Sequence, residues 1–313
     1  MDPAGSVGGM KFAMLPKPWP RAVAELEAAG HEHVGIDADP DVLVYHGGAD
    51  GFPEQLPESV QFVQFAWAGV DALDEAGVMR NSGVRWANAA GLYDDTVAET
   101  TLALILGILH QFPRVKSDGS TTRDIAYETR YLIEDMTVAV IGAGGIGKKL
   151  IEFLCPFRPH VVAVNRSGRP VDGADETIAM ADAGDVWGRA DVVVLLAPLT
   201  KDTRGMVDAD VLAQMKDTAV LVNVGRGPLI VTDALVDALK NGTIGGAALD
   251  VTDPEPLPAD HPLWELDNCL ITPHVANIPR VGKERIGGLT LSNWVALERG
   301  DEMPTEVDVE AGY

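Results

Sequence analysis

The stretch Thr137 to Leu150, Thr-Val-Ala-Val-Ile-Gly-Ala-Gly-Gly-Ile-Gly-Lys-Lys-Leu, constrains the fold more than any other part of the chain. A β-branched run, Val138 to Ile141, enters a turn with glycines at 142, 144 and 147 and leaves with helical spacing at Ile146, Leu150, Ile151 and Leu154. This predicts strand, tight turn and helix. Gly142 permits the turn, Gly144 lets backbone approach an anion, and Gly147 lets the helix pack closely on its strand. With Gly145 and Ile146, the helix start offers unpaired N–H groups to a pyrophosphate. A glycine triplet alone often serves only chain reversal. Here its flanks are the required ones, and the stretch reads as a dinucleotide site.

A chain of 313 residues is long for one core, so two domains are expected. The formal net charge of -23 disfavours nucleic acid and anionic lipid as partners, although it also fits a merely very soluble surface. Cys155 and Cys269 form no close pair, so neither a disulfide framework nor a zinc site is indicated, and no metal is called for. The longest apolar stretch, Leu102 to Leu109, is far too short to span a membrane, and no signal sequence opens the chain. A cytoplasmic protein is expected. Met1 to Gly9 reads as an expression scar ahead of a natural start at Met10.

From Met10, the run Lys11 to Leu15 predicts a strand and Pro20 to Gly30 a helix, with proline near its start and glycine past its end. Val42 to Tyr45, Val60 to Phe65 and Val84 to Ala87 continue as strands. Trp67-Ala68-Gly69-Val70-Asp71 is a small-residue turn opening another helix, whose N–H groups could hold a carboxylate or serve only the turn. Thr96-Val97-Ala98-Glu99 reads as a capping box before a helix that is apolar nearly all round and therefore buried. We take this helix as the crossing between domains. Arg114 to Tyr131 lacks a clean period and predicts short helix and loop.

Further strands are expected at Val161 to Val164, Val192 to Leu196, Ala219 to Asn223, Gly246 to Asp250 and Leu270 to Thr272, with helical patterns between most of them. Such alternation implies an α/β fold with a mostly parallel sheet, which binds ligands outside the carboxyl ends of its strands. Asn165, Arg166, Pro198, Arg226, Asp250 and His274 stand at those ends. Arg280 to Arg299 returns as a helix, and an acidic tail ends at Tyr313.

About twenty positions beyond the glycines, an acidic residue would select NAD by binding the ribose 2′-OH. This chain has Asn165-Arg166-Ser167 there, with no carboxylate to repel a 2′-phosphate and a guanidinium to grip one. NADP(H) is therefore expected over NAD(H), unless Arg166 merely projects into water.

Three segments carry the chemistry: Asn223-Val224-Gly225-Arg226-Gly227, Asp250-Val251-Thr252-Asp253-Pro254-Glu255-Pro256-Leu257 and Thr272-Pro273-His274-Val275-Ala276. Singly, each has a dull explanation. Together they supply a hydride-transfer site for a 2-keto acid. Arg226 suits the cation for the carboxylate and carbonyl. His274 suits the acid that protonates the new alkoxide, because imidazole titrates near neutrality. Glu255 suits the partner that favours imidazolium.

At these residues the sequence resembles the D-isomer-specific 2-hydroxyacid dehydrogenase family. The resemblance runs from about Val60 to Asn277 and takes in Ala68-Gly69-Val70-Asp71, Val97-Ala98-Glu99, the three turn glycines, Pro198-Leu199-Thr200 with Thr203, Asn223 to Gly227, Asp250 to Leu257 and Thr272-Pro273-His274. It implies two Rossmann-like doubly wound domains with a cleft between them, residues 10–95 plus 278–313 binding substrate and 96–277 binding dinucleotide. It also implies a homodimer, and assigns the catalytic roles to Arg226, Glu255 and His274. Pro198, Thr203, Val224 and Gly225 would join the cofactor site, Asp250 would meet the nicotinamide carboxamide, and N–H groups near Ala68 to Val70 would meet the substrate carboxylate.

Within the family the chain looks most like the short NADP-preferring glyoxylate/hydroxypyruvate reductases, from Asn165-Arg166-Ser167, His274-Val-Ala-Asn-Ile-Pro-Arg280 and the ending Val307-Asp308 to Gly312-Tyr313. Two departures stand out. Gly145 replaces an arginine common in relatives, and Trp67 is bulky where many have a small residue. If Trp67 lines the pocket, small keto acids are favoured. The rival expectations are a dehydrogenase for 3-phosphoglycerate or a larger D-hydroxy acid, and a dinucleotide-sensing binding protein on the same scaffold.

Overall fold

A computed structural model describes residues 8–115, 125–133 and 135–310. Most of the expected scar, the middle of the Arg114 to Tyr131 stretch and the Gly312-Tyr313 ending lie outside the described residues. The chain divides into two compact units, one reaching to Tyr93 and resuming at Ile278, the other running from Asp94 to Asn277.

The first unit opens with β1 (Lys11–Leu15), α1 (Pro20–Ala28), β2 (Glu32–His33), β3 (Val42–Tyr45), β4 (Phe62–Phe65), the short helices α2 (Asp71–Glu75) and α3 (Val78–Ser82), and β5 (Arg85–Ala87). Every strand pair is parallel and the order is β2-β1-β3-β4-β5. Ala13, Leu43, Tyr45, Val63 and Phe65 alternate onto one face, where they bury Leu73, Met79, Trp86 and Val307. The strand β2 escapes sequence reading because two residues, one of them exposed, carry no apolar pattern.

The second unit begins with α4 (Asp94–Leu109). The helix starts two residues before Thr96, so Thr96 is not its N-cap and the expected capping box is corrected: Asp94 and Asp95 supply the acidic first turn. After α5 (Ile125–Glu128) come β6 (Thr137–Ile141), α6 (Gly145–Leu154), β7 (His160–Asn165), β8 (Glu176–Ala179), α7 (Val186–Arg189), β9 (Val192–Leu195), α8 (Ala209–Gln214), β10 (Val220–Asn223), α9 (Thr232–Lys240), β11 (Gly246–Leu249) and β12 (Cys269–Ile271). The strand β8, half-buried throughout, was also hidden from the pattern.

The seven strands lie in the order β12-β11-β10-β9-β6-β7-β8, all parallel. Ala139, Ile141, Val193, Leu195, Leu221 and Leu249 project to the face covered by α7, α8 and α9. The long helix α4 packs on α6 and on β10, β11 and β12, and is buried at Val97, Ala98, Thr101, Leu104, Ile105 and Ile108. Helices on both faces explain why the strands read as unbroken apolar runs. Strand order reverses between β6 and β9, and the crevice at such a switch point is where doubly wound sheets bind ligands.

The chain returns to the first unit as α10 (Pro279–Glu298), which packs along α1. A buried polar knot fixes it: Asn293 Nδ2 donates to Gln64 Oε1 at 2.6 Å and to Thr305 Oγ1 at 2.8 Å. The tail beyond is tied to β5 by the Arg85 guanidinium, which grips the Glu306 carboxylate with both Nε and Nη2. No helix among the described residues is long and apolar enough to cross a membrane.

The Arg85 hydrogen bonds hold the Glu306 carboxyl below the usual carboxylate range, against a smaller opposing effect of burial. A carboxyl lowered on folding contributes stability above its unfolded value and loses it as pH falls through the folded one. Glu306→Gln should therefore cost about 1 kcal/mol at neutral pH. In urea titrations at stepwise lower pH, the difference from the parent protein should shrink towards zero.

Candidate active site

Pairing register sets the site's geometry. Ile271, Leu249, Asn223, Leu195, Ile141 and Val164 lie side by side across six adjacent strands. The loops that leave those strands stand in one row along the carboxyl edge: 272–276, 250–255, 224–227, 196–203, 142–147 and 165–169. At the usual strand spacing the row spans about 24 Å. The second unit thus gathers every candidate catalytic and cofactor residue on one edge of one sheet. Trp67, Ala68, Gly69 and Val70 belong to the first unit.

The glycine turn sits at the switch point. Gly142 has φ +100°, and a Cβ there would overlap the Leu196–Ala197 backbone, its carbonyl carbon at 2.6 Å and Ala197 Cα at 2.7 Å. Only glycine lets β6 turn so close to β9. Gly147 brings α6 onto its strand, 3.1 Å from Gly142 O and 3.2 Å from Val140 Cγ1 by the same measure. Gly144 borders open space, with nothing within 4 Å of where its Cβ would be. The first intrahelical bond of α6 is Lys148 N–H to Gly144 O, 2.9 Å, and the N–H groups of Gly145, Ile146 and Gly147 precede it. An open cradle edged with N–H groups fits a dinucleotide pyrophosphate.

In the loop after β7, Asn165 turns its side chain inward. Its Oδ1 accepts from Ser167 N (3.1 Å) and Gly168 N (2.7 Å), and its Nδ2 donates to Arg169 O (2.8 Å). Asn165 therefore shapes the loop, leaving Arg166 exposed at its tip. Arg169 Nε reaches Ser167 Oγ at 3.3 Å, a second guanidinium beside Ser167 that sequence reading passed over. Thr203 likewise closes its own loop, donating to Pro198 O at 2.6 Å and accepting from Thr200 N at 2.8 Å. Val224 N–H donates to Leu195 O at 3.3 Å, and Gly225 is hemmed by Ala197 O, so the loops after β9 and β10 lean together.

Buried Asn223 holds the Arg226 loop from below, donating from Nδ2 to Arg226 O at 2.9 Å and accepting from Gly225 N at 3.1 Å. Arg226 is half-buried, and its Nη1 donates to Gly225 O at 2.8 Å. Gly227 lies so close to Thr252 and Asp253 that any side chain there would overlap their backbone. That contact sets the Arg226 loop against the segment leading to Glu255.

His274 is held from both sides. Its Nδ1 pairs with Glu255 Oε1 at 2.6 Å. With Glu255 as acceptor, Nδ1 carries the proton of that bond, and Nε2 is the ring nitrogen outside it. The backbone of His274 is in the left-handed region, φ +51°, an uncommon conformation for a non-glycine residue. Asp250, only 2% exposed, enforces it. Asp250 O accepts from His274 N at 2.8 Å, Oδ1 accepts from Thr272 Oγ1 (2.7 Å) and Val275 N (2.9 Å), and Oδ2 accepts from Ala276 N (3.0 Å). Asp250, a candidate contact for a nicotinamide carboxamide, uses its carboxylate to build the His274 loop. A buried acid ending an apolar strand was the available signal.

In the first unit, Trp67 is half-buried at the carboxyl end of β4. Its Nε1 donates to His46 O at 3.3 Å, its ring stacks on Tyr93 with centroids 6.2 Å apart, and it meets Trp19 edge-on at 6.1 Å. His46 stacks on Trp19 at 4.1 Å. Ala68 O accepts from Asn88 Nδ2 at 3.0 Å, and Val70 is the residue before α2.

The family model for the D-isomer specific 2-hydroxyacid dehydrogenase NAD binding domain matches residues 102–276, more than half of the chain. The chain belongs to the D-isomer-specific 2-hydroxyacid dehydrogenase family. It is thus an NAD(P)-dependent oxidoreductase of the 2-hydroxyacid dehydrogenase type, built from two parallel-sheet α/β domains. It is 54% identical over 97% of its length to the whole of an uncharacterized protein from the proB 3′ region of Corynebacterium melassecola. It is 33% identical to the human glyoxylate reductase/hydroxypyruvate reductase over 76% of this chain and 74% of that one. Among solved structures, it matches an NADPH-dependent glyoxylate/hydroxypyruvate reductase of Sinorhizobium meliloti in complex with NADP and sulfate, with a TM-score of 0.76 and 26% identity, over 97% of this chain and all of that one.

Replacing Asp250 by Asn would set an N–H₂ group against a backbone or hydroxyl donor in a buried place. Asp250→Asn should lower stability by about 3 kcal/mol, equivalent to a melting shift of roughly 6–12 °C for a unit this size. Differential scanning calorimetry reads the loss, and amide hydrogen exchange should place the loosening at residues 272–276.

Proposed function

We propose that this dehydrogenase reduces glyoxylate or hydroxypyruvate to the D-2-hydroxy acid with NADPH, His274 donating the proton. The observation that carries the reading is the imidazole held through Nδ1 by Glu255 while buried Asp250 fixes its backbone, which leaves Nε2 to serve the reacting oxygen. Arg226, on the adjoining loop, binds the substrate carboxylate and polarises the carbonyl. The glycine turn holds the pyrophosphate, and Arg166 with Arg169 binds a 2′-phosphate. A bound nicotinamide would supply the hydride.

Small substrates are favoured by the rings of Trp19, His46, Trp67 and Tyr93, which fill space at the carboxyl ends of the first unit's strands. The turn at Ala68, Gly69 and Val70 is our candidate for the carboxylate contact in that unit. The relatives named as glyoxylate reductases support the same choice. A homodimer is supported by Phe112, Val115, Tyr127, Tyr131 and Ile133, all exposed apolar side chains from a short stretch of the second unit. The pair of unbridged cysteines fits a reducing compartment such as the cytoplasm.

Loss of absorbance at the nicotinamide band with glyoxylate, hydroxypyruvate, pyruvate and bulkier 2-keto acids tests the assignment. We expect NADPH-driven turnover of the two small acids, falling by about a hundredfold or more in His274→Ala. Arg166→Ala should raise KM for NADPH by about tenfold and leave that for NADH nearly unchanged. Trp67→Ala should extend turnover to bulkier acids. Equal effects of Arg166→Ala on both cofactors would remove the NADP assignment, and NADPH binding with no turnover would remove the substrate assignment.

A further inference from the structure

Asp94 opens α4, and its carboxylate lies against Gly145, the first residue of α6 and part of the glycine turn. Even a methyl group at Gly145 would overlap it, with Asp94 Cγ 3.0 Å and Oδ1 3.1 Å from the Cβ position. The small residue at 145 and the acid at 94 therefore form a pair: glycine leaves the space that the carboxylate occupies. The Asp94 side chain is half-buried, and no donor among the described residues hydrogen-bonds to it. Asp95 faces it from its own helix, and Lys149 faces it from α6, the helix packed on α4. Lys149 is itself shared, 3.4 Å from Asp95 Oδ1 and 2.7 Å from Glu152 Oε2, so one cation serves three carboxylates. Burial first and the Asp95 charge second push the Asp94 carboxyl up from its usual value, and Lys149 opposes them.

A bare carboxylate at a turn built to receive an anion is an electrostatic conflict. We propose that Asp94 makes dinucleotide binding proton-coupled: the protein binds the pyrophosphate tightly with Asp94 protonated and weakly with Asp94 ionised. The inference rests on the reading of the glycine turn as a pyrophosphate site. As an acid, Asp94 presents an O–H that can donate to a phosphate oxygen; as a carboxylate, it presents only like charge and lone pairs. The bound pyrophosphate makes ionisation harder still, so the complex takes up a proton. The apparent Kd is lowest in acid and rises with pH above the free-state value, by up to about tenfold per pH unit, until the bound-state value is passed.

The test is titration of the purified protein with NADH, followed by nicotinamide fluorescence, from about pH 5 to about pH 9. NADH is chosen because the 2′-phosphate of NADPH ionises within that window. The parent Kd should rise by about tenfold or more across the range. Asp94→Asn and Asp94→Ser should bind with a flatter profile and, at the alkaline end, about tenfold more tightly than the parent. Calorimetry in buffers of different ionisation heat should show proton uptake by the parent and its loss in Asp94→Asn. Parallel pH profiles in parent and variants would overturn the role of Asp94 and leave the dinucleotide site standing. Failure of all three proteins to bind NADH or NADPH at any pH would overturn both.

Discussion

The carboxylate of Asp250 is the interaction on which the site depends. It is buried at the end of β11 and accepts from Thr272, Val275 and Ala276, while its own carbonyl takes the His274 N–H. Hydrogen bonds to a charged acceptor contribute about 1.5 to 3 kcal/mol each, enough together to hold one residue in the left-handed region. That conformation sends the imidazole towards Glu255. His274, the proton donor we propose, is therefore oriented by a side chain that itself has no need to touch substrate.

The same logic recurs along the sheet edge. Asn223 shapes the Arg226 loop, Asn165 shapes the Arg166 loop, and Thr203 closes the loop after β9. Asn223 and Asn165 are the last residues of their strands, where the regular ladder stops and backbone groups need new partners. Parallel register then aligns the loops, with Glu255 and His274 over β11 and β12, Arg226 over β10, and the glycine turn and the arginines over β6 and β7. In the function we propose, a dinucleotide lies along this row with its phosphates at the glycines.

Much of this was legible before the structure. The apolar runs gave ten of the twelve strands among the described residues because strands covered on both faces need no alternation, and glycine spacing placed the β6 turn and α6 together. What stayed hidden has physical reasons. The strands β2 and β8 are too short or too exposed to carry a pattern. Thr96 resembled an N-cap because Thr-x-x-Glu matches the motif, yet the acidic pair before it extends the helix. That the Asn165 and Asp250 side chains also build their own loops is set by the folded backbone around them, not by their place at a strand end. Arg169 and Asp94 were passed over because what matters in each, a guanidinium beside Ser167 and a carboxylate against Gly145, is set by tertiary approach.

We propose that one sheet edge of this dehydrogenase assembles a D-specific hydride-transfer site for small 2-keto acids. Stereochemical tracing tests it most directly. Hydroxypyruvate is reduced with NADPH deuterated at the transferable position, and the product is analysed by mass spectrometry and chiral chromatography. D-Glycerate carrying one deuterium at C2 is the expected product. L-Glycerate, D-glycerate without the label, or no product would contradict it.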